Sequence, residues 1–564
     1  TCKSWAHAWL NEGFATYLEA LWMEEDLGRE EFDYEILQFA AAYMAEPYRR
    51  AIVSNRYAYP SDLFDMHLYP KAGWVLHMLR RRLGDAIFWK AIRLYVKRHA
   101  NGCVETIDLI RAFEDASGKN LASFFDQWIM SPGHAEIEGS IAWEENEKRI
   151  RASLKQVQKT DGGAPIFAVP IRIECLVEDG SLRAETFEMT AQEQSFYLRV
   201  EGKPVTVALD PELAVLATWK VTRPAEWPEA SLVGPRRDGR VGARVHAVRQ
   251  LAERPSYKDE SVLGRVLMED PFWGVQAEAA RALAAARSPH ALEILLGAVD
   301  LPHPKARRAV VEALGDFRAA SAAEALAAIV RKGDASYFVE AAAASALGRT
   351  RHPGAAPVLR AAMRRQSWHD ILALHAARGL AAAREEEAVD DILSLASDRR
   401  RYWSCRVGAM SALADLGAAR PLLAPRIAEE LSRFLEDRSY LVFTRVTNAL
   451  VSLGHDSGIA ALRRAAAATT DPRLVNHYLM AADDLAGQKK RGEDVERLRG
   501  DMEKLQGEAK EMREKIERLE ERSKGLPATP SPDKTPGRAR KRASTRPSAG
   551  KGRPSGLRKR EGRS

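Results

Sequence analysis

Glu12 and Glu19 lie seven residues apart in an aromatic-rich run at the start of the chain. Trp5, Trp9, Leu10, Phe14, Tyr17 and Leu18 recur at helical spacing and predict a helix with a wide apolar face. Seven residues make about two helical turns, so both carboxylates fall on one side of it. A carboxylate among so many rings is costly to bury unless it meets a cation or a hydrogen-bond donor. Zinc is one such cation, and a hydrolytic zinc site needs three protein ligands plus an open position for water.

The run Trp9-Leu10-Asn11-Glu12-Gly13-Phe14-Ala15-Thr16-Tyr17-Leu18-Glu19 follows a Thr-x-Lys-x-Trp lead. It resembles the segment that comes after the HExxH helix in gluzincin aminopeptidases, the aminopeptidase N and leukotriene hydrolase family. The resemblance implies that Glu12 is the third zinc ligand. In the family the second His of HExxH lies roughly twenty residues before that Glu. No His-Glu-x-x-His occurs anywhere in the 564 residues. The expectation is therefore a truncated sequence that opens inside an active site, lacking two ligands and the general base. The residues that hold a substrate's free amino group also lie upstream in the family.

Leu68 to Phe88 extends the likeness, because the family carries a Tyr-x-Lys-Gly-Ala segment whose Tyr donates a hydrogen bond to the oxyanion of the tetrahedral intermediate. Tyr69 matches that position, and Lys71-Ala72-Gly73 exchanges the Ala and Gly of the pattern. The run from Gly102 to Trp128 resembles the end of the family's catalytic domain. Each residue also has a plainer reading. Glu12 could be a buried salt-bridge carboxylate, and Tyr69 a core tyrosine with a satisfied hydroxyl. Glu19 is expected to orient neighbours around the metal site or to be a surface or packing carboxylate. His7 is read as structural, since its spacing to Glu12 suits no zinc pair. His67 and His77 flank Tyr69 without a partner motif.

Behind these residues, 1–137 reads as mostly helical. A first helical block reaches Tyr48, an aromatic irregular stretch spans Tyr57 to Tyr69, and a helix from Lys71 ends at Gly84. Another covers Phe88 to His99, and Thr106 is the expected N-cap of the next. A short apolar helix from Leu121 to Ile129 stops at Ser131-Pro132-Gly133. The resemblance makes this the helical half of a thermolysin-like catalytic domain. Over 138–225 the period changes to two: Ile150, Ala152 and Leu154, then Val169, Ile171 and Ile173, alternate with polar residues. A small antiparallel β-sandwich of about seven strands is expected there.

Residues 226–487 repeat. Leu251, Leu283, Leu314, Leu347, Leu380, Leu413 and Leu450 recur at steps of 32, 31, 33, 33, 33 and 37 residues. That is the mark of an α-solenoid with two helices per unit, and it resembles the short HEAT-like repeat. The aromatic entries Asp270-Pro-Phe-Trp273 and Arg401-Tyr402-Trp403 are read as packing between repeats. Over 488–523, Val495, Leu498, Met502, Leu505, Ala509, Met512, Ile516 and Leu519 step by three and four, which predicts a coiled coil able to self-associate.

The last segment, 524–564, is too poor in large apolar residues to offset its ordering entropy and is expected to be disordered. Residues 533–564 hold 12 Lys/Arg against 2 Asp/Glu, which accounts for the basic pI of about 9.1, whereas the rest of the chain is slightly acidic. With no aromatic residue to stack on bases, weak nonspecific contact with nucleic acid is the most that tail offers. No long apolar run predicts a membrane span. Four scattered cysteines suit a reducing, cytoplasmic setting.

The function these features point to is a zinc metallo-aminopeptidase acting on peptides, with the solenoid as a lid or partner platform. Residues 1–564 alone are expected to be inactive and to bind zinc weakly. The competing reading is a catalytically inactive peptidase-like scaffold whose repeats bind proteins.

Overall fold

The computed structural model describes residues 1–234, 237–253 and 256–524; the tail from 525 lies outside them. Thr1–Lys489 forms one compact unit, and a second begins at Lys490. Five helices dominate the first part: α1 (Trp9–Asp26), α2 (Arg29–Ala45), α3 (Ala72–Leu83), α4 (Asp85–His99) and α5 (Thr106–Ser117). Trp9, Tyr17, Phe32, Phe88 and Phe113 are fully buried where they meet. The wide apolar face expected of α1 is narrower, because Leu18 and Trp22 are 52% and 67% exposed. Thr106 is not the N-cap of α5. Glu105 is, and the Asp108 carboxylate accepts its backbone N–H at 2.9 Å. Thr106 instead turns its hydroxyl toward α1.

Seven strands follow: β1 (Ala135–Glu144), β2 (Arg149–Gln156), β3 (Val169–Val177), β4 (Leu182–Met189), β5 (Glu193–Arg199), β6 (Pro204–Leu209) and β7 (Ala217–Thr222). They form two sheets, ordered β5-β2-β1-β7 and β4-β3-β6. The alternating residues Ile150, Ala152, Leu154, Val169, Ile171 and Ile173 are all buried. Two corrections apply. The first strand begins at Ala135 rather than 138, and β7 runs parallel to β1, so the sandwich is not wholly antiparallel. A hydrophobic pattern shows which face is inward but not which strand is the neighbour. Gln127 ties the sandwich to the helical part: its amide donates to the Ala168 carbonyl at 3.0 Å and accepts the Ala168 N–H at 2.9 Å.

Helices then alternate to Ala468 and into the long helix Pro472–Lys524. Each leucine of the repeat lies in its own helix, and none of the seven is more than 1% exposed. Neighbouring units can approach closely: a Cβ added at Gly348 would meet the Gly379 backbone oxygen at 1.9 Å, so only glycine fits that crossing. An arginine–aspartate device recurs along the stack. Arg244, Arg307 and Arg406 reach Asp270, Asp334 and Asp437 at 3.0, 2.8 and 2.6 Å. Each aspartate also accepts the backbone N–H two residues on, at 2.8–2.9 Å, and so shapes the entry to a helix.

The aromatic entries pack as expected and do more. Tyr34 of α2 meets Phe272 and Trp273 edge-on, with centroids 5.7 and 5.0 Å away. The Trp273 indole donates to Glu31 at 2.5 Å. These contacts anchor the first repeats to the helical part. Tyr402 stacks on His369 at 3.9 Å.

Candidate active site

The start of α1 is pinned onto α5. Thr106 Oγ1 accepts the Trp9 indole N–H at 2.9 Å and lies 3.0 Å from His7 Nδ1. His7 is thus committed to a structural hydrogen bond. Lys3 N–H donates to Val104 O, and Val104 N–H to Thr1 O, both at 2.9 Å. Glu12 then falls in the first turn of α1, half-buried, where the helix dipole favours a negative charge.

Tyr69 sits in a single π turn, His67–Lys71, that leads into α3. Pro70 explains the turn. Proline has no N–H to give the carbonyl four residues back, and the Lys71 N–H reaches Met66 O at 3.1 Å instead, five residues away. Asp65 holds the approach to this turn. Its carboxylate accepts the backbone N–H groups of His67 and Leu68 at 2.9 and 3.2 Å and pairs with Arg50 at 2.6 Å. It also accepts from the Tyr48 hydroxyl at 2.7 Å. Burial pushes the Asp65 carboxyl up, but the hydrogen bonds from His67, Arg50 and Tyr48 outweigh it and hold it well below the usual carboxylate range. His67 is buried beside Asp65, and His77 is buried in the aromatic core, so neither is free to act as a ligand.

Helices α1 and α3 cross at Gly13 and Ala72. A Cβ at Gly13 would come within 2.6 Å of the Ala72 Cβ. The exchanged Ala and Gly are accommodated here: Ala72 covers Gly13, and Gly73 leaves room for Phe39 and Thr16. The crossing brings Glu12 and Tyr69 together. The Tyr69 phenol is raised above its ordinary pKa by burial first, and then by the charge and hydrogen bonding of the Glu12 carboxylate. Phe64 lies against Tyr69 and Trp5 against Phe64, with centroids 6.2 and 5.9 Å apart, forming a partly exposed aromatic wall.

Residues 1–128 match the peptidase family M1 domain. Residues 297–373 match HEAT repeats. The M1 match covers both Glu12 and Tyr69 and agrees with the resemblance read from the motifs. Aminopeptidase N of Lactococcus lactis subsp. lactis is 31% identical over 153 residues, 25% of this chain and 18% of that protein. Aminopeptidase M1 of Arabidopsis thaliana is 27% identical over 183 residues, 31% of this chain and 20% of that protein. The chain thus spans about a fifth of the length of these curated relatives. The solved structure of Legionella pneumophila aminopeptidase A in complex with aspartic acid aligns with a TM-score of 0.62 at 15% identity, covering 86% of this chain and 64% of the other. That likeness shows a shared fold.

Glu12 and Tyr69 both lie in the part that matches the M1 domain. Glu19 is exposed further along α1, and its charge is felt by Glu35 of α2, whose carboxyl is raised by burial and then by Glu19. Among the described residues no group of three His, Cys, Asp or Glu is placed to hold a metal ion. Sequence reasoning missed Asp65 and Arg50. Their signal, an aspartate two residues before His67 and a basic pair fifteen residues earlier, is too common to single out. It also missed a cavity of about 1080 Å³ between Tyr59–Asp62 and the end of the solenoid, where the Tyr59 hydroxyl donates to Asn476 at 3.0 Å. The segment that frames this cavity leads directly to Tyr69.

Proposed function

We propose that the M1 part of this chain serves a zinc aminopeptidase that removes N-terminal residues from peptides. The observation that carries this is the approach of Glu12 to Tyr69 within the M1 match. Glu12 would hold zinc through a carboxylate oxygen. Bound zinc supplies a water whose pKa is lowered toward about 7. Tyr69 is kept neutral by burial and by Glu12, so its hydroxyl retains the proton it needs to donate. Directed at a scissile carbonyl, that donor stabilises the oxygen as negative charge develops on it.

A second reading is a non-enzymatic scaffold, favoured by the length of the repeat array and by the basic tail of the sequence. Reading the gene upstream of the Thr1 codon decides between them. His-Glu-x-x-His about twenty residues before Glu12 is the expected result. Upstream codons without it leave the scaffold.

A further inference from the structure

The helix Pro472–Lys524 carries a heptad seam whose described large apolar residues are exposed. Leu498, Met502, Leu505 and Met512 are 63%, 57%, 63% and 60% exposed. Large apolar side chains at steps of three and four are a poor solvent-facing surface, and they form one stripe on a straight helix. Gly500 and Gly507 fall at the heptad position farthest from the stripe. Each weakens a lone helix while leaving the seam untouched. The segment is thus a weak helix by itself and a good one in a pair.

We infer that the seam pairs with the same seam of a second copy, as a parallel, in-register, two-stranded coiled coil. Three features of the sequence select that arrangement. The first is composition. With Val495 at position a, the a positions are Val495, Met502, Ala509 and Ile516, and the d positions are Leu498, Leu505, Met512 and Leu519. The two β-branched a residues, Val495 and Ile516, and leucine at three of the four d positions favour two strands over three or four.

The second is charge along the flanks. In a parallel pair each g residue faces the e residue five positions on in the other copy. Asp494 then faces Arg499, Glu508 faces Arg513 and Lys515 faces Glu520. Each contact is of opposite sign and occurs twice by symmetry. The fourth, Asp501 with Gln506, sets no like charges together.

The third is what the alternative costs. An antiparallel pair aligned over the whole seam sets g against g and so places Asp501 against Glu508 twice, whereas no flank contact of the parallel pair sets like charges together. A different acidic or basic partner would satisfy one flank only, whereas this sequence satisfies both flanks of itself. The pairing is independent of any hydrolytic activity.

Sedimentation velocity and light scattering on the full chain test this. The expected particle contains two chains, and Leu505→Lys converts it to one chain with an unchanged circular dichroism minimum from the solenoid. Orientation is read with Leu498→Cys in a chain carrying Cys2→Ser and Cys103→Ser, which removes the accessible native thiols. In the parallel arrangement the two introduced thiols face each other at position d, and mild oxidation links nearly all chains as dimers. A single chain at tens of micromolar, a particle of three or four chains, or a dimer that Leu498→Cys fails to link would each overturn the assignment.

Discussion

Glu12 in the first turn of α1 lies near enough to Tyr69, in the turn that leads into α3, for its carboxylate to hold the phenol above its ordinary pKa after burial has already raised it. That relationship can be tested without metal or substrate. Glu12→Gln removes the negative charge and keeps the shape. The Tyr69 ionisation, followed by ultraviolet difference titration with Tyr69→Phe as the blank, is expected to move down toward the ordinary tyrosine value. It will not reach it, because burial remains. An unmoved titration would show that the two groups do not meet.

Gly13→Ala tests the crossing itself. The new Cβ would stand 2.6 Å from the Ala72 Cβ, closer than such atoms approach in folded proteins. The helices must part, at a cost of about 1–3 kcal/mol as for other overpacked cores. Chemical denaturation monitored by tryptophan fluorescence is expected to show that loss. Gly13→Ala combined with Ala72→Gly should recover most of it, since the double variant restores one small residue at the contact. Failure of the recovery would place the damage elsewhere.

Different parts of this architecture were legible in the sequence to different degrees, for physical reasons. Leu251 to Leu450 announced the solenoid because each repeat must bury the same position against its neighbour. Glu12 and Tyr69 were legible because their motifs resemble those of a family, and the M1 match covers both. The contact that unites them was not. Gly13 reads as part of a motif, and nothing in a linear string says that Ala72 lies on it. The wide turn at Pro70 was not read from the sequence either, since a missing N–H does not say which carbonyl the next N–H will reach. Asp65 and Arg50 lie fifteen residues apart in irregular chain, where no periodicity connects them. The parallel pairing of β7 with β1 escaped notice because alternation is the same in either direction.

Lys71, two residues after Tyr69, gives a pH-dependent signature. Its ammonium is fully buried above the Tyr43 ring, with the nitrogen 5.4 Å from the centroid. Burial, and then the nearby Arg50 and Arg49, push its pKa down from 10.5 to about 7. The unfolded chain therefore binds one more proton than the folded chain between about pH 7 and 10.5, and stability must rise with pH across that window. Below it, the cost of the buried charge is present in full. Lys71→Met removes the titration. The variant should be more stable than the parent by a few kcal/mol near pH 6, at about 1.4 kcal/mol per pKa unit. The difference should shrink steadily and vanish near the unfolded-state value. Thermal melts at a series of pH values measure it, and a constant difference would mean that Lys71 is paired in a way the structure does not show.

Arg244 and Asp270 illustrate why removing half of a buried ion pair differs from removing all of it. Their side chains are each 1% exposed and 3.0 Å apart, and Arg244 also reaches Glu30 of α2 at 2.9 Å. Burial raises the Asp270 carboxyl even with Arg244 beside it, so the pair is held at a net solvation cost. Arg244→Met would strand Asp270 without its nearest cation and is expected to cost about 3–5 kcal/mol at pH 7. Lowering the pH should recover part of that loss, because the stranded carboxyl can then take up a proton. Arg244→Met with Asp270→Leu removes both charges and should lie close to the parent, since an apolar pair of similar volume is often neutral there. Urea denaturation of the two single variants and the double variant closes the cycle. A double variant as unstable as Arg244→Met would instead locate the loss in the Arg244 contact with Glu30, and so in the junction between the repeats and the helical part.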